Sequence, residues 1–322
     1  MNKRNLIVSS APHVVSPVNT SRIMLDVLIA LVPAVAMATY VFGMRALLLT
    51  AVCAAACVAF EYAVEKILKR DVTISDLSAA VTGVILSLNL PANLPFWMAI
   101  VGAFIAIVLV KQLFGGMGQN FANPAITARV ALFVGFATAM TNFPLPVAQQ
   151  TADAITGATP LGLFAKGMVE ELPSNAQMFF GTIGGSMGET SALALLIGGA
   201  YLLFKKVIEP TIPACFIGTV AVMAILTGND PIFHVCAGGV MLGSIFMATD
   251  YVTSPITTKG KVIFGIGCGL LTMVIRLFAS YPEGVSFAIL IMNILTPHID
   301  NLTIPALNGV PKEKKAKKGG DK

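Results

Sequence analysis

Between residues 153 and 159 the chain reads Asp153-Ala154-Ile155-Thr156-Gly157-Ala158-Thr159, followed by Pro160 and Leu161. A carboxylate, two hydroxyls and several small residues stand within seven positions. A hydroxyl is a nucleophile and a hydrogen-bond partner, and a carboxylate is an acceptor. The plain reading of the same residues is a turn. Gly157 and Pro160 punctuate it, and Asp153 or Thr156 caps a short helix. On that reading Thr159 makes a hydrogen bond and nothing more.

Other polar groups interrupt apolar surroundings. Gly115-Gly116-Met117-Gly118-Gln119-Asn120-Phe121-Ala122-Asn123-Pro124 lies between two apolar runs. It reads as a tight turn whose asparagines satisfy backbone groups. Asn120 and Asn123 each also carry a donor and an acceptor on one side chain. Asp250, Thr253 and Ser254 form a second cluster, either capping a helix end or contacting a ligand or ion. Acids inside apolar runs are expensive and therefore suspect. Asp26 and Glu61 stand out as ion-handling candidates, with Thr82 as a further oxygen ligand. Glu65 shares a face with Glu61, but Lys66 and Lys69 stand close enough to pair with it at the surface, and Asp76 reads as a cap. His13, His234 and His298 lie at the ends of apolar runs and read as interface residues. The five cysteines sit in apolar runs without zinc-like spacing.

The elements that position these groups are membrane helices. Of 322 residues, 56% are hydrophobic and only 11% charged, and the mean hydropathy is +0.83. So little charge cannot wet a soluble globule of this size. The apolar runs are continuous rather than alternating, which argues against a β-barrel. The expected fold is all-α and polytopic, with about ten transmembrane helices. The segments are 23–42, 45–68, 76–91, 95–114, 124–141, 190–205, 211–227, 234–250, 261–279 and 284–299. Each approaches the roughly 20 residues that a helical span takes. The third is short and polar enough to be broken or re-entrant.

With ten spans and a cytoplasmic N terminus, all but three of the 21 lysines and arginines fall inside; the exceptions are Arg45, Lys166 and Arg276. The positive-inside rule supports both the count and the orientation. The expected organisation is a cytoplasmic leader (1–22), a first transmembrane half (23–141), an outside loop (142–189), a second half (190–299) and a basic cytoplasmic tail (300–322). Six lysines in the last twelve residues make that tail a solvated partner of the membrane lipid, not a nucleic-acid site. Five spans on each side of the loop give the halves opposite topology, as in inverted-repeat transporters, with the third and eighth segments corresponding near the midplane.

The pattern D-x-x-T-G-A-T, here Asp153 to Thr159, matches the acceptor sequence of flavin transferases. The chain resembles the family that holds the RnfD component of the Rnf complex and the NqrB component of the sodium-pumping NADH:quinone oxidoreductase. The resemblance runs over nearly the whole chain. It includes Ser10-Ala11-Pro12-His13, Gly115 to Ala125, the flavin motif, and Met247-Ala248-Thr249-Asp250-Tyr251-Val252-Thr253-Ser254-Pro255. Lack of the longer N-terminal extension of the quinone-linked relative favours the Rnf branch.

The resemblance implies a membrane electron carrier of an ion-translocating ferredoxin:NAD oxidoreductase in the bacterial inner membrane, moving Na+ or H+. It implies FMN joined to Thr159 by a phosphoester, with Asp153, Thr156, Gly157 and Ala158 shaping the acceptor. It also implies a second, non-covalent riboflavin near Asn120 and Asn123, with Asp250 as a further contact. The implied partners are the other Rnf subunits (A, B, C, E and G) and a flavin transferase for maturation. No strand–GxGxxG–helix context offers an NAD site. The rival readings are a small-solute channel of the urea or ammonium type, which leaves the flavin motif without a use, and an assembly scaffold whose motif is never modified.

Overall fold

The computed structural model describes residues 19–149, 156–279 and 284–305. Asp153 and His13 therefore lie outside the described residues, as do most of the leader and the tail. Helix α1 (Thr20–Phe42) opens where the Asn19 side chain accepts from the Arg22 N–H. It ends at Gly43, whose φ of 78° turns the chain directly into α2 (Met44–Ile67). Both are long enough to cross a hydrocarbon core.

Helix α3 (Ser78–Leu88) has only 11 residues, about 16 Å at 1.5 Å per residue. It starts after Leu77, which is left-handed at φ 63°, and the Asp76 carboxylate accepts from the Ser78 N–H and hydroxyl. Helix α4 (Phe96–Phe104) runs on through a π-helical stretch, Ile105–Gln112. Helix α5 (Pro124–Gly135) is capped by Asn123 and stops at Phe136, before the short α6 (Ala137–Met140).

The loop between the halves holds strand β1 (Phe143–Pro144) and strand β2 (Thr156–Gly157), paired antiparallel with Phe143 opposite Gly157. It also holds α7 (Pro160–Ala165) and α8 (Asn175–Phe180). The second half comprises α9 (Ala192–Phe204), α10 (Thr211–Leu226), α11 (Pro231–Cys236), α12 (Val240–Leu242) with a π turn Gly243–Met247, α13 (Thr258–Phe278) and α14 (Val285–Thr303). The chain is an all-α membrane protein with long and short apolar helices. Among the described residues, four helices are long and apolar enough to cross a membrane alone: α1, α2, α13 and α14.

The eighth segment departs most from expectation. A single helix over 234–250 is replaced by α11 and α12, separated at Gly238, whose φ is 66°. A methyl group at Gly238 would lie 2.5 Å from Leu161 Cδ1, so α7 closes on bare backbone there. The fifth segment is likewise shorter than 124–141, because Phe136 leaves the helical region.

Helices pack through small residues, as expected where lipid supplies no drive for helix association. A methyl group at Gly83 of α3 would meet Ala54 Cα of α2 at 2.6 Å. Packing repeats across the loop. Helix α2 lies against α3 and α4, and α10 lies against α11 and α13. Helix α4 lies against α5, and α13 against α14; α1 meets α9, and α5 meets α14.

Candidate functional site

Two places gather the candidate residues. The first is the loop end at Thr159. Pairing of β2 with β1 fixes Thr156 and Gly157, and a methyl group at Gly157 would reach Leu145 Cδ2 at 2.7 Å. Thr156 and Ala158 are exposed. Thr159 is buried, at 6% exposure, and is the N-cap of α7, its Oγ1 accepting from the Gly162 N–H at 3.1 Å. Pro160 at the first helical position fits this cap, since it has no N–H to satisfy. The expectation of a cap is met, but the capping residue is Thr159 rather than Thr156.

Helix α7 is pinned to the break in the eighth segment. Leu161 packs on Gly238. The Phe164 ring lies 5.5 Å from that of Phe233 and 5.2 Å from that of His234. His234, expected at an interface, is fully buried, because the α11–α12 break turns it under α7. Arg276 of α13 holds the break: its Nη1 and Nη2 donate to the carbonyls of His234 (2.6 Å) and Ala237 (2.7 Å). On the other side of Gly239, Arg129 of α5 pairs with Glu189 at 3.3 Å and donates to Ser286 Oγ of α14 at 2.6 Å. Asn175 donates to Asp230 at 2.6 Å, which holds that exposed carboxyl below its usual range.

The second place is a cavity of about 490 Å³ between α1, α3, α9 and the π turn after α12. Its walls are mostly apolar, with Asn120, Asn123, Asp250, Thr82 and Lys111 among the polar residues. Asn123 Oδ1 accepts from the N–H groups of Ala125 and Ile126 at 3.1 and 3.3 Å. Its Nδ2 points to Met247 O (3.4 Å) and Asp250 Oδ2 (3.5 Å). Asn120 Nδ2 donates to Ala122 O. Asp250 also accepts from Thr253 Oγ1 (3.2 Å) and the Val252 N–H (3.3 Å). These side chains finish the turns and also face the cavity.

The ion candidates part company. Thr82 lines the cavity, its hydroxyl donating to Ser78 O at 3.0 Å. Glu61 is fully buried behind the cavity wall and accepts from Lys111 Nζ and from Gln112 Nε2 (2.9 Å). Asp26 sits at the α1–α9 contact, bound by the Tyr201 hydroxyl at 2.7 Å, with Lys205 at 3.9 Å. Among the described residues Glu65 pairs with no lysine: it accepts from the N–H and hydroxyl of Thr73, which folds the 68–73 turn over it.

Sequence reasoning did not single out Lys111, Arg129 and Arg276, counting the first two among the inside charges and Arg276 among the outside ones. All three are buried. Their signal was available, since each falls within an apolar segment.

The residues fit flavins in both places. A cavity of this volume, with apolar walls and few polar groups, is of the kind that takes a drug-sized ligand. Its amides supply donors and acceptors for a flavin edge. At Thr159, a Cβ on Gly162 would lie 3.3 Å from the hydroxyl oxygen. The bare glycine spares the hydroxyl that close contact.

Comparison with known proteins follows the same lines. The model of the family described as NQR2, RnfD, RnfE family matches residues 7–309. The D component of the Na+-translocating ferredoxin:NAD+ oxidoreductase complex of Acetobacterium woodii is 50% identical over 321 residues, which cover 99% of this chain and all of that one. The D component of the proton-translocating ferredoxin:NAD+ oxidoreductase complex of Clostridium ljungdahlii is 44% identical, covering 95% and 97%. The D component of the ion-translocating oxidoreductase complex of Stutzerimonas stutzeri is 40% identical, covering 90% and 92%.

Proposed function

The chain belongs to the NQR2, RnfD, RnfE family, and from that premise we propose that it is the electron-carrying membrane subunit of an ion-translocating ferredoxin:NAD+ oxidoreductase complex, with FMN esterified to Thr159. The observation that carries the flavin reading is the setting of Thr159. Its hydroxyl follows a strand-held turn and heads a helix docked on the broken eighth segment. FMN, when bound, supplies one- and two-electron chemistry.

The chain's own residues hold and orient. Thr159 fixes the phosphate end, and α7 ties it through Leu161 and Phe164 to the 234–238 turn. That turn leads through α12 to Ile245 and Phe246 in the cavity wall. One element thus runs from the attachment site to the cavity. There Asn120 and Asn123 would hydrogen-bond a second, non-covalent flavin, riboflavin, beside Asp250. The rest of the complex supplies electron entry and exit, and a flavin transferase installs the FMN.

The two halves form an inverted repeat, with residues 23–141 and 190–299 on either side of the 142–189 loop. Support comes from the paired packing and from α3 and α12, each short and each entered through a left-handed residue. Both termini face the cytoplasm and the loop faces outside. Lys111, Arg129 and Arg276 are buried, and the inside excess of lysine and arginine survives without them. Asp26, Glu61 and Thr82 belong to the ion route. The names of two relatives differ in the ion moved, so the route is assigned as Na+ or H+. Coupled transport that is normal in both Asp26→Asn and Glu61→Gln complexes would remove these acids from it.

The test of the main reading is in-gel flavin fluorescence with intact-peptide mass, for wild type and Thr159→Val, made in a host with an active flavin transferase. One FMN on the wild-type chain and none on the variant is the expected result. No covalent flavin on the wild type, with the transferase active on another substrate, would sink the reading and restore the channel.

A further inference from the structure

The cavity carries a charge that the asparagines do not explain. Lys111 lines it, although its side chain is only 4% exposed. The ammonium donates to Glu61 and to Ser78 Oγ (2.6 Å), which commits two of its three hydrogens. Gln112 donates to the same oxygen of Glu61 that Lys111 uses, while Oε2 is buried without a partner. A buried ion pair is no better for stability than apolar residues of the same volume. A half-satisfied pair is worse, so packing does not account for it.

We propose that Lys111 is the charge-compensating residue of this cavity, its ammonium turning from Glu61 toward the occupant when the occupant becomes negative. The proposal rests on the reading of the cavity as a flavin site. Glu61 is then a positioning residue: it parks Lys111 and tempers its charge. The four-carbon stem and rotatable donors of lysine allow such a turn, which a guanidinium fork would not. Two electrons and one proton added to an oxidised flavin leave one net negative charge. The electrons come from the ferredoxin-driven chain of the complex and the proton from water. Lys111 keeps its proton, and no bond to the protein is made or broken. Positive charge beside the ring favours the reduced form.

The test uses the purified complex stripped of non-covalent flavin. Binding of oxidised and of dithionite-reduced riboflavin is measured without oxygen by equilibrium dialysis. Binding that survives in an Asn120→Leu/Asn123→Leu complex is subtracted as background. Lys111→Met is expected to lose about tenfold in affinity for the reduced form, on the scale of one charge contact, and to keep its affinity for the oxidised form. Glu61→Gln shifts the ratio the opposite way, since it leaves Lys111 less neutralised. Lys111→Met/Glu61→Gln leaves no stranded charge, which guards against misfolding, and is expected to follow Lys111→Met. Equal effects on both forms in the double variant, or no effect, overturn the proposal and leave the flavin reading standing. A wild-type complex that binds neither form overturns both.

Discussion

Lys111 and Arg276 close matching joints. Each is a buried cation near the C-terminal end of a helical segment in its half, and each grips the chain beside a left-handed residue that leads into a short helix. Lys111 reaches Ser78, next to Leu77; Arg276 reaches the carbonyls of His234 and Ala237, next to Gly238. The chemistry differs where the surroundings differ. Lys111 has a carboxylate and a cavity at hand, whereas Arg276 spreads its fork over two carbonyl oxygens.

Removing the Arg276 grip should therefore weaken the fold. Arg276→Met leaves two buried carbonyls without these donors, a loss of about 3 kcal/mol on the scale of charge-assisted bonds. Thermal unfolding of the purified complex reads it as a lower midpoint, with Arg276→Lys falling between. An unchanged midpoint would show that the joint holds without it.

Gly238 permits the break in two ways, by its left-handed backbone and by its missing side chain. Gly238→Ala should cost about 2 kcal/mol from backbone strain and overpacking together. In a chain that already carries Leu161→Ala, whose own cavity cost is the reference, the clash with the new methyl group is gone but the strain is not, so Gly238→Ala should cost less there but still something. No cost in that background would mean that φ at residue 238 imposes none.

Thr159 caps α7 as well as offering a hydroxyl, and the two roles separate by substitution. Thr159→Ser keeps the cap, whereas Thr159→Ala loses it at a cost of about 1 kcal/mol. Hydrogen exchange across residues 160–165 should rise in Thr159→Ala and stay low in Thr159→Ser. Equal exchange in the two would deny the hydroxyl its capping role.

The sidedness of the loop is open to labelling. Ala158 is exposed, and among the cysteines Cys215 alone is not buried. A Cys215→Ala/Ala158→Cys chain should react with a membrane-impermeant maleimide from outside the cell only. Labelling confined to inverted vesicles would reverse the orientation.

Much of this architecture was legible in the sequence because apolar runs declare themselves locally. The ten expected segments fall on helices, and the asparagines of the 115–124 turn read as satisfying backbone groups, as Asn123 does for Ala125 and Ile126. What escaped is what distance hides. Glu61 and Lys111 stand 50 residues apart, so the first looked like a free acid and the second like an inside charge. Gly238 and Gly239 fall inside what the sequence presents as one short span near the midplane. Only the approach of Leu161, from beyond the loop, shows why the helix breaks there. Glu65 was paired with the nearest lysines, although the turn that follows brings Thr73 back onto it.

The burial of Thr159 has a consequence for timing. A hydroxyl that caps a helix and is almost sealed from solvent can be reached by another enzyme only while that helix stands away from the bundle. Attachment of a flavin to this hydroxyl, as proposed, would therefore compete with completion of the fold. Its rate would follow the population of molecules in which residues 159–165 have yet to dock or have briefly opened. A change that tightens α7 against Gly238 would make a sturdier chain that matures more slowly.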